Sequence, residues 1–180
     1  MSFLFEQRFL RRALSFAGAM AGALLAVSAW PALAQADDLI YTARVSHVFD
    51  GDTLWVRPSD GGRTRKLRIE GIDAPEICQE GGVAARDALR QRLSGRTVTV
   101  HEHRRDTYGR PLVDVALGNE DIAAWMVQEG WAWSYRWRDD PGPFVREEAS
   151  ARSKKRGIFG ETSAEEPRGF RRRHGPCQRR

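Results

Sequence analysis

The sequence predicts a small closed β-barrel carrying helices, an α+β domain, and three observations lead to it. Five short runs between Ile40 and Leu117 alternate apolar and polar residues, the period-two pattern of strands with one buried face. One helical run interrupts them between the third and fourth, and two more follow the fifth. The 146 residues from Gln35 to Arg180, undivided by any internal repeat or long linker, suffice for one domain with a true core.

Ile40 to Val48 is β-branched and alternating, and reads as the first strand. Phe49-Asp50-Gly51-Asp52 turns the chain into a second, Thr53 to Val56. Ser59-Asp60-Gly61-Gly62 turns it again. From Arg63 to Ile72, Leu67 and Ile69 share one face while Lys66, Arg68 and Glu70 share the other, which aims Arg68 away from the core. Beyond Pro75, the spacing of Ala85, Leu89 and Leu93 predicts a helix over 83–93 that stops at Gly95. Thr97 to His101 and Leu112 to Leu117 complete the strands, with Val98, Val100, Val113, Val115 and Leu117 inward and Asp114 outward. Asn119 to Glu129 and Phe144 to Arg156 read as helices ending before Gly130 and Gly157. Five strands with a helix between the third and fourth is the layout of a five-stranded Greek-key barrel, the OB-fold, here with three helices. Little order is expected from Glu161 onward, so residues 35–160 form the domain and 161–180 a basic, flexible tail.

The first 34 residues read differently. Arg8, Arg11 and Arg12 precede an uncharged run from Ala13 to Trp30, and Ala32-Leu33-Ala34 supplies a small-x-small cleavage pattern. This predicts a signal peptide over 1–34, with an uncleaved anchor as the alternative, and a periplasmic or secreted product. The charge must then be reassigned. The formal net charge is +5. The leader carries +2 and the tail from Arg168 carries +6, which leaves −3 over residues 35–167. A basic total therefore says nothing about what the domain itself binds. Two cysteines, Cys78 and Cys177, fit one disulfide that would draw the tail towards Lys66–Gln79; two free thiols are the other reading.

Within KLRIEGIDAPEICQ, residues 66–79, lie Arg68, Asp73 and Glu76, with Pro75 restricting the chain between the two acids. Asp52 follows the turn into the second strand, and neighbouring strands of a barrel can bring it to Asp73. Hard divalent cations take oxygen ligands of this kind. Two carboxylates for a metal, a third for water and a guanidinium for an oxyanion make a set suited to phosphoryl transfer. Tyr108-Gly109-Arg110 adds a turn that delivers a second arginine at the start of the fifth strand, and arginine's planar fork binds phosphate oxygens in pairs.

VFDGDTLWV, LRIEGIDAPE and DTYGRPL, in this order and at these separations, resemble the staphylococcal-nuclease (thermonuclease) family, as do the later VQEGWAWSY and SKKRGIF. The resemblance runs from about Tyr41 to Phe159. It implies an OB-fold phosphodiesterase that hydrolyses DNA and RNA with Ca²⁺, mainly endonucleolytically, leaving 3′-phosphate ends. It implies metal ligation by Asp52, Asp73 and the backbone carbonyl of Ala74, handling of the attacking water by Glu76, and binding of the scissile phosphate by Arg68 and Arg110. Tyr108 matches a residue that contacts a terminal phosphate of the nucleotide, and Tyr135 falls near tyrosines that flank its base. Thr107 stands where the family usually has a basic residue, and the loop after Glu76 is short. The expected partners are single-stranded or locally melted DNA and RNA, acted on by a monomer without stable membrane association.

Each motif has a plainer reading. Asp50-Gly51 is a common hairpin-turn pair. Arg68 and Arg110 standing alone would be surface residues paired with Glu70 and Asp114. His101 and His103 alternate onto one face, but no third metal ligand is evident, which favours a solvated strand edge. Trp125 and Trp131 fit the apolar pattern of their segment and read as packing rather than as a base-stacking platform. The rival to an enzyme is a non-catalytic OB-fold module of the cell envelope that binds nucleic acid or protein; such modules lose the acids and arginines that are all present here.

Overall fold

The computed structural model describes residues 39–160, 164–175 and 177. The predicted signal peptide lies outside them. In chain order the elements are β1 (Leu39–Val48), β2 (Thr53–Pro58), β3 (Arg65–Ile69), β4 (Ile72–Asp73), α1 (Gly82–Leu93), β5 (Thr97–Arg105), β6 (Pro111–Leu117), β7 (Glu120–Asp121), α2 (Ile122–Gln128), β8 (Trp133–Ser134), α3 (Val145–Ser153), a 3₁₀ turn (Gly157–Gly160) and α4 (Pro167–His174).

Five strands run in the order β3-β2-β1-β5-β6, each antiparallel to its neighbour, and β3 then pairs with β6 in parallel through Arg68–Leu112 and Ile69–Val113. That last pairing closes the sheet into the OB-type barrel and leaves no free edge between the two strands. Ala43, Val45, Leu54, Val56, Leu67, Ile69, Val98, Val100, Val113 and Val115 fill the interior, nearly inaccessible to water. Burying one such side chain contributes roughly 1.5–3 kcal/mol. Alternation alone would turn His47 inward, but a bulge between Val45 and His47 shifts the register and buries Val48 instead.

Three boundaries differ from the sequence-based expectation. The third strand stops at Ile69, because Gly71 takes a positive φ of 77°; Ile72–Asp73 then pairs with Trp133–Ser134 in a separate ladder. The helix predicted from Asn119 begins at Ile122, capped by the Asp121 carboxylate, which accepts hydrogen bonds from the Ala123 and Ala124 amides at 2.8 and 3.2 Å. The tail is the largest correction, since residues 167–174 form a helix where no order was expected. Pro167 sits in the first turn of α4, where its missing N–H costs nothing, and Gly175 ends it with a φ of 70°.

The disulfide between Cys78 and Cys177 forms, and it ties the chain just past α4 to the loop before α1. Gln79 adds a second tie, donating to the Glu165 carbonyl at 2.7 Å. Trp125 and Trp131 are partly buried against the main core, as their pattern predicts, while Trp133 packs edge-on against Phe159 in a smaller cluster. No helix among the described residues is long and apolar enough to cross a membrane.

Candidate active site

Asp52 lies between the turn after β1 and β2, and its own backbone carbonyl accepts from the Ile69 amide at 2.8 Å. Register then places Thr53 opposite Arg68. Strand pairing thus brings Asp52 and Arg68 together, and Arg68 donates to Asp52 Oδ1 at 2.7 Å. Gly51 lets this turn lie against α1 and the Asp73 loop: a Cβ there would meet the Ala74 Cβ at 2.6 Å. The remaining Asp52 oxygen, Oδ2, accepts from the Ala74 amide at 3.2 Å, so the contact formed by Ala74 is through its N–H.

Asp73 owes its place to the β4–β8 ladder, where it pairs with Trp133. The second terminal nitrogen of Arg68 donates to Asp73 Oδ1 at 3.2 Å, so this one guanidinium bridges both carboxylates. Asp52 and Asp73 are 3% and 6% exposed, a burial that two carboxylates tolerate only beside positive charge. Burial alone would lower the Arg68 pKa; the charges of Asp52, Asp73 and Asp50 more than offset it and hold the pKa above its ordinary value. Asp50, treated above as a turn residue, is shaped by the same cluster. Burial first, then the Asp52 charge, pushes its carboxyl up to about 7.

Glu76 follows Pro75, and its loop is pinned by Gln79, whose side-chain oxygen accepts from the Glu76 amide at 3.2 Å. Arg171 of α4 joins it to Asp73, donating to Asp73 Oδ1 and Oδ2 at 3.0 and 2.9 Å and to Glu76 Oε1 at 3.1 Å. Burial works against the Arg171 charge, yet hydrogen bonds and charge from Asp73, then Glu76, hold its pKa above the ordinary value. Sequence reasoning missed this residue. Its only signal was the Cys78–Cys177 pairing, which carries the tail to this loop.

The structure therefore joins Asp52, Arg68, Asp73, Ala74 and Glu76 in one network. Arg110, Tyr108 and Tyr135 line the same open cleft. Parallel pairing of β3 with β6 sets the start of β6 beside Arg68, but the Arg110 Nε is held by Asp106 at 2.7 Å. Tyr108 is 84% exposed at the tip of its turn and Tyr135 is 39% exposed. The donor chemistry, all carboxylate oxygen, is of the kind a hard divalent cation takes; here Arg68 links Asp52 to Asp73 and Arg171 links Asp73 to Glu76, so two guanidinium groups stand between the three carboxylates as positive charges.

A carboxylate–arginine network in the cleft of an OB-type barrel is a set of groups suited to phosphoryl transfer. Comparison with known proteins sharpens this. The family model described as staphylococcal nuclease homologue matches residues 66–161, and the chain belongs to that family. It is 36% identical over 147 residues to an uncharacterized endonuclease of Escherichia coli O157:H7, covering 80% of this chain and 91% of that protein. It is 33% identical over 174 residues to a micrococcal nuclease of Shigella flexneri, covering 91% and 96%. A third relative, an uncharacterized endonuclease of Haemophilus influenzae, is 30% identical over 131 residues. These relatives support a hydrolytic nuclease acting on nucleic acid.

Proposed function

We propose that this chain is a Ca²⁺-dependent endonuclease of single-stranded or locally melted DNA and RNA. The observation that carries the reading is the convergence of Asp52, Asp73 and Glu76 on the guanidinium groups of Arg68 and Arg171. Asp52, Asp73 and the Ala74 carbonyl are the groups that would hold the ion, which supplies positive charge against the scissile phosphate. With the carboxylates so engaged, the Arg68 fork turns to the phosphate oxygens and stabilises the charge that grows on them in the transition state. Arg110 leaves Asp106 to take the same phosphate from the other side. Glu76 orients the attacking water and accepts its proton, and in-line displacement expels the 5′ oxygen, leaving a 3′-phosphate. Tyr108 contacts a terminal phosphate of the nucleotide, and Tyr135 offers a face on which a base can rest.

The same reading makes the protein periplasmic or secreted, supported by the leader pattern of residues 1–34 and by the disulfide, and a monomer. The test is direct. Purified protein is mixed with end-labelled single-stranded DNA or RNA in Ca²⁺ or in EDTA. Fragments with 3′-phosphate ends in Ca²⁺ alone, lost in Glu76→Gln, are expected. An intact strand, shifted equally in both conditions, would make the barrel a binding module instead.

A further inference from the structure

A second cluster of ligand-type side chains lies away from the Asp52–Asp73–Glu76 network, on the outer faces of β5 and β6. His101 and His103 alternate onto one side of β5, and the strand register sets His101 directly opposite Asp114 of β6. A register shift between Glu102 and Arg104 then carries His103 to the same carboxylate. Bulges commonly re-aim side chains in this way beside functional sites. The His103 Nε2 lies 2.8 Å from Asp114 Oδ2, and the His101 Nδ1 lies 4.0 Å from that same oxygen. One donor atom from each residue falls within 4.8 Å of the other two. Asp114 is thus the third ligand-type side chain that the sequence did not reveal.

Two imidazoles and one carboxylate are the donors of zinc-class ions, not of Ca²⁺, which prefers an all-oxygen shell. Four-coordinate bonds of about 2.0–2.1 Å place neighbouring donors roughly 3.3 Å apart, a spacing bracketed by the 2.8 and 4.0 Å seen here. Small side-chain rotations close the set around one ion. The side chains of His101, His103 and Asp114 are 32%, 25% and 59% exposed, so an ion can enter and its fourth position faces solvent. His103 and Asp114 also line the cleft that contains Asp52, Arg68 and Arg110.

We propose that His101, His103 and Asp114 form a second metal site, selective for a borderline divalent ion such as Zn²⁺, Ni²⁺ or Co²⁺, on the wall of the cleft. The site is independent of the nuclease reading: it stands on its own three ligands.

The experiment titrates the full chain with Zn²⁺ by calorimetry in saturating Ca²⁺, and with Co²⁺ by visible absorption. One equivalent of Zn²⁺ is expected to bind, and Co²⁺ should develop the intense bands of a distorted tetrahedral site. His103→Ala and His101→Ala should each weaken Zn²⁺ binding at least tenfold, while Asp73→Asn leaves it unchanged. His103→Gln, with its thermal unfolding compared to wild type, guards against a variant that fails to fold. No Zn²⁺ binding in excess Ca²⁺, or binding that survives both histidine substitutions or vanishes in Asp73→Asn, overturns the proposal.

Discussion

Arg171 grips Asp73 with both terminal nitrogens, at 2.9 and 3.0 Å, and reaches Glu76 with one of them. The guanidinium from α4 stands among carboxylates that a metal ion would also need. Two cations cannot be fully satisfied by the same oxygens, so each weakens the hold of the other.

Removing this arginine should therefore favour Ca²⁺. Arg171→Ala is expected to raise Ca²⁺ affinity several-fold by calorimetry and to shift the activity curve to lower Ca²⁺. Unchanged affinity would mean that the guanidinium moves aside without cost.

Reduction of the disulfide should act in the same direction. Cys177 holds α4 to the Glu76 loop, and the bond closes a sequence separation of 99 residues. Opening it should lower stability by about 4.7 kcal/mol on the chain-entropy account for a loop of this length. It should also raise Ca²⁺ affinity towards that of Arg171→Ala, and not further in a chain that already carries that substitution.

Arg68 is the guanidinium that bridges Asp52 and Asp73. Arg68→Ala is expected to lower kcat by about 10²–10³-fold, the scale of losing one preorganised charge in the transition state. Near-normal turnover would remove Arg68 from the mechanism. Arg68→Lys should recover little, because an ammonium cannot bridge Asp52 and Asp73 with a planar fork.

Gly82 tests the placement of Glu76 without altering any charge. A Cβ at residue 82 would lie 1.9 Å from the Glu76 carbonyl oxygen, so the loop must shift. Gly82→Ala should cost about 1–3 kcal/mol of stability, as overpacking does, and lower kcat by at least tenfold in the fraction that remains folded. Unchanged kinetics would show that Glu76 tolerates displacement.

Acid should act through Glu148 of α3. This buried carboxylate accepts from the Ser134 amide at 3.0 Å, from Arg136 at 2.7 Å and from Arg152 at 2.8 Å. Burial would raise its pKa, but the bonds from Arg136, Arg152 and Ser134 outweigh it and hold the pKa below the ordinary 4.5. A depressed folded pKa contributes stability that is complete above the unfolded value and is lost as pH falls through the folded one. Glu148→Gln should cost about 2–4 kcal/mol near neutral pH. Urea unfolding followed down to about pH 3 should then show a shallower acid limb than wild type.

The barrel was legible because burial on one face imposes a period of two: Leu67 and Ile69 inward and Arg68 outward hold in both sequence and structure. The carboxylates and arginines of the network were legible from motif order, since strand pairing converts that order into proximity. What escaped depends on long-range geometry. Pro167 and Gly175 frame residues 167–174 as helix ends do, but the arginine-rich run between them has no apolar stripe to reveal the helix; tertiary ties through Cys177 and Gln79 hold it. Asp114 looked like an ordinary outward residue because only the β5–β6 pairing sets His101 opposite it, and only the shift in that pairing brings His103. Gly71 ended the third strand early because a positive φ cannot be read from a run that alternates correctly up to it.

The parallel pairing of β3 with β6 also governs when the cleft is complete. The antiparallel neighbours β1, β2 and β3 can form through short connections, but the β3–β6 contact joins residues more than forty apart and must await both halves of the sheet. Contacts of such separation form late, because loop closure is costly before other contacts repay it. Arg68 sits in that seam, so a half-folded chain has hairpins and a helix but no assembled cleft. The architecture therefore completes the cleft only when the barrel closes.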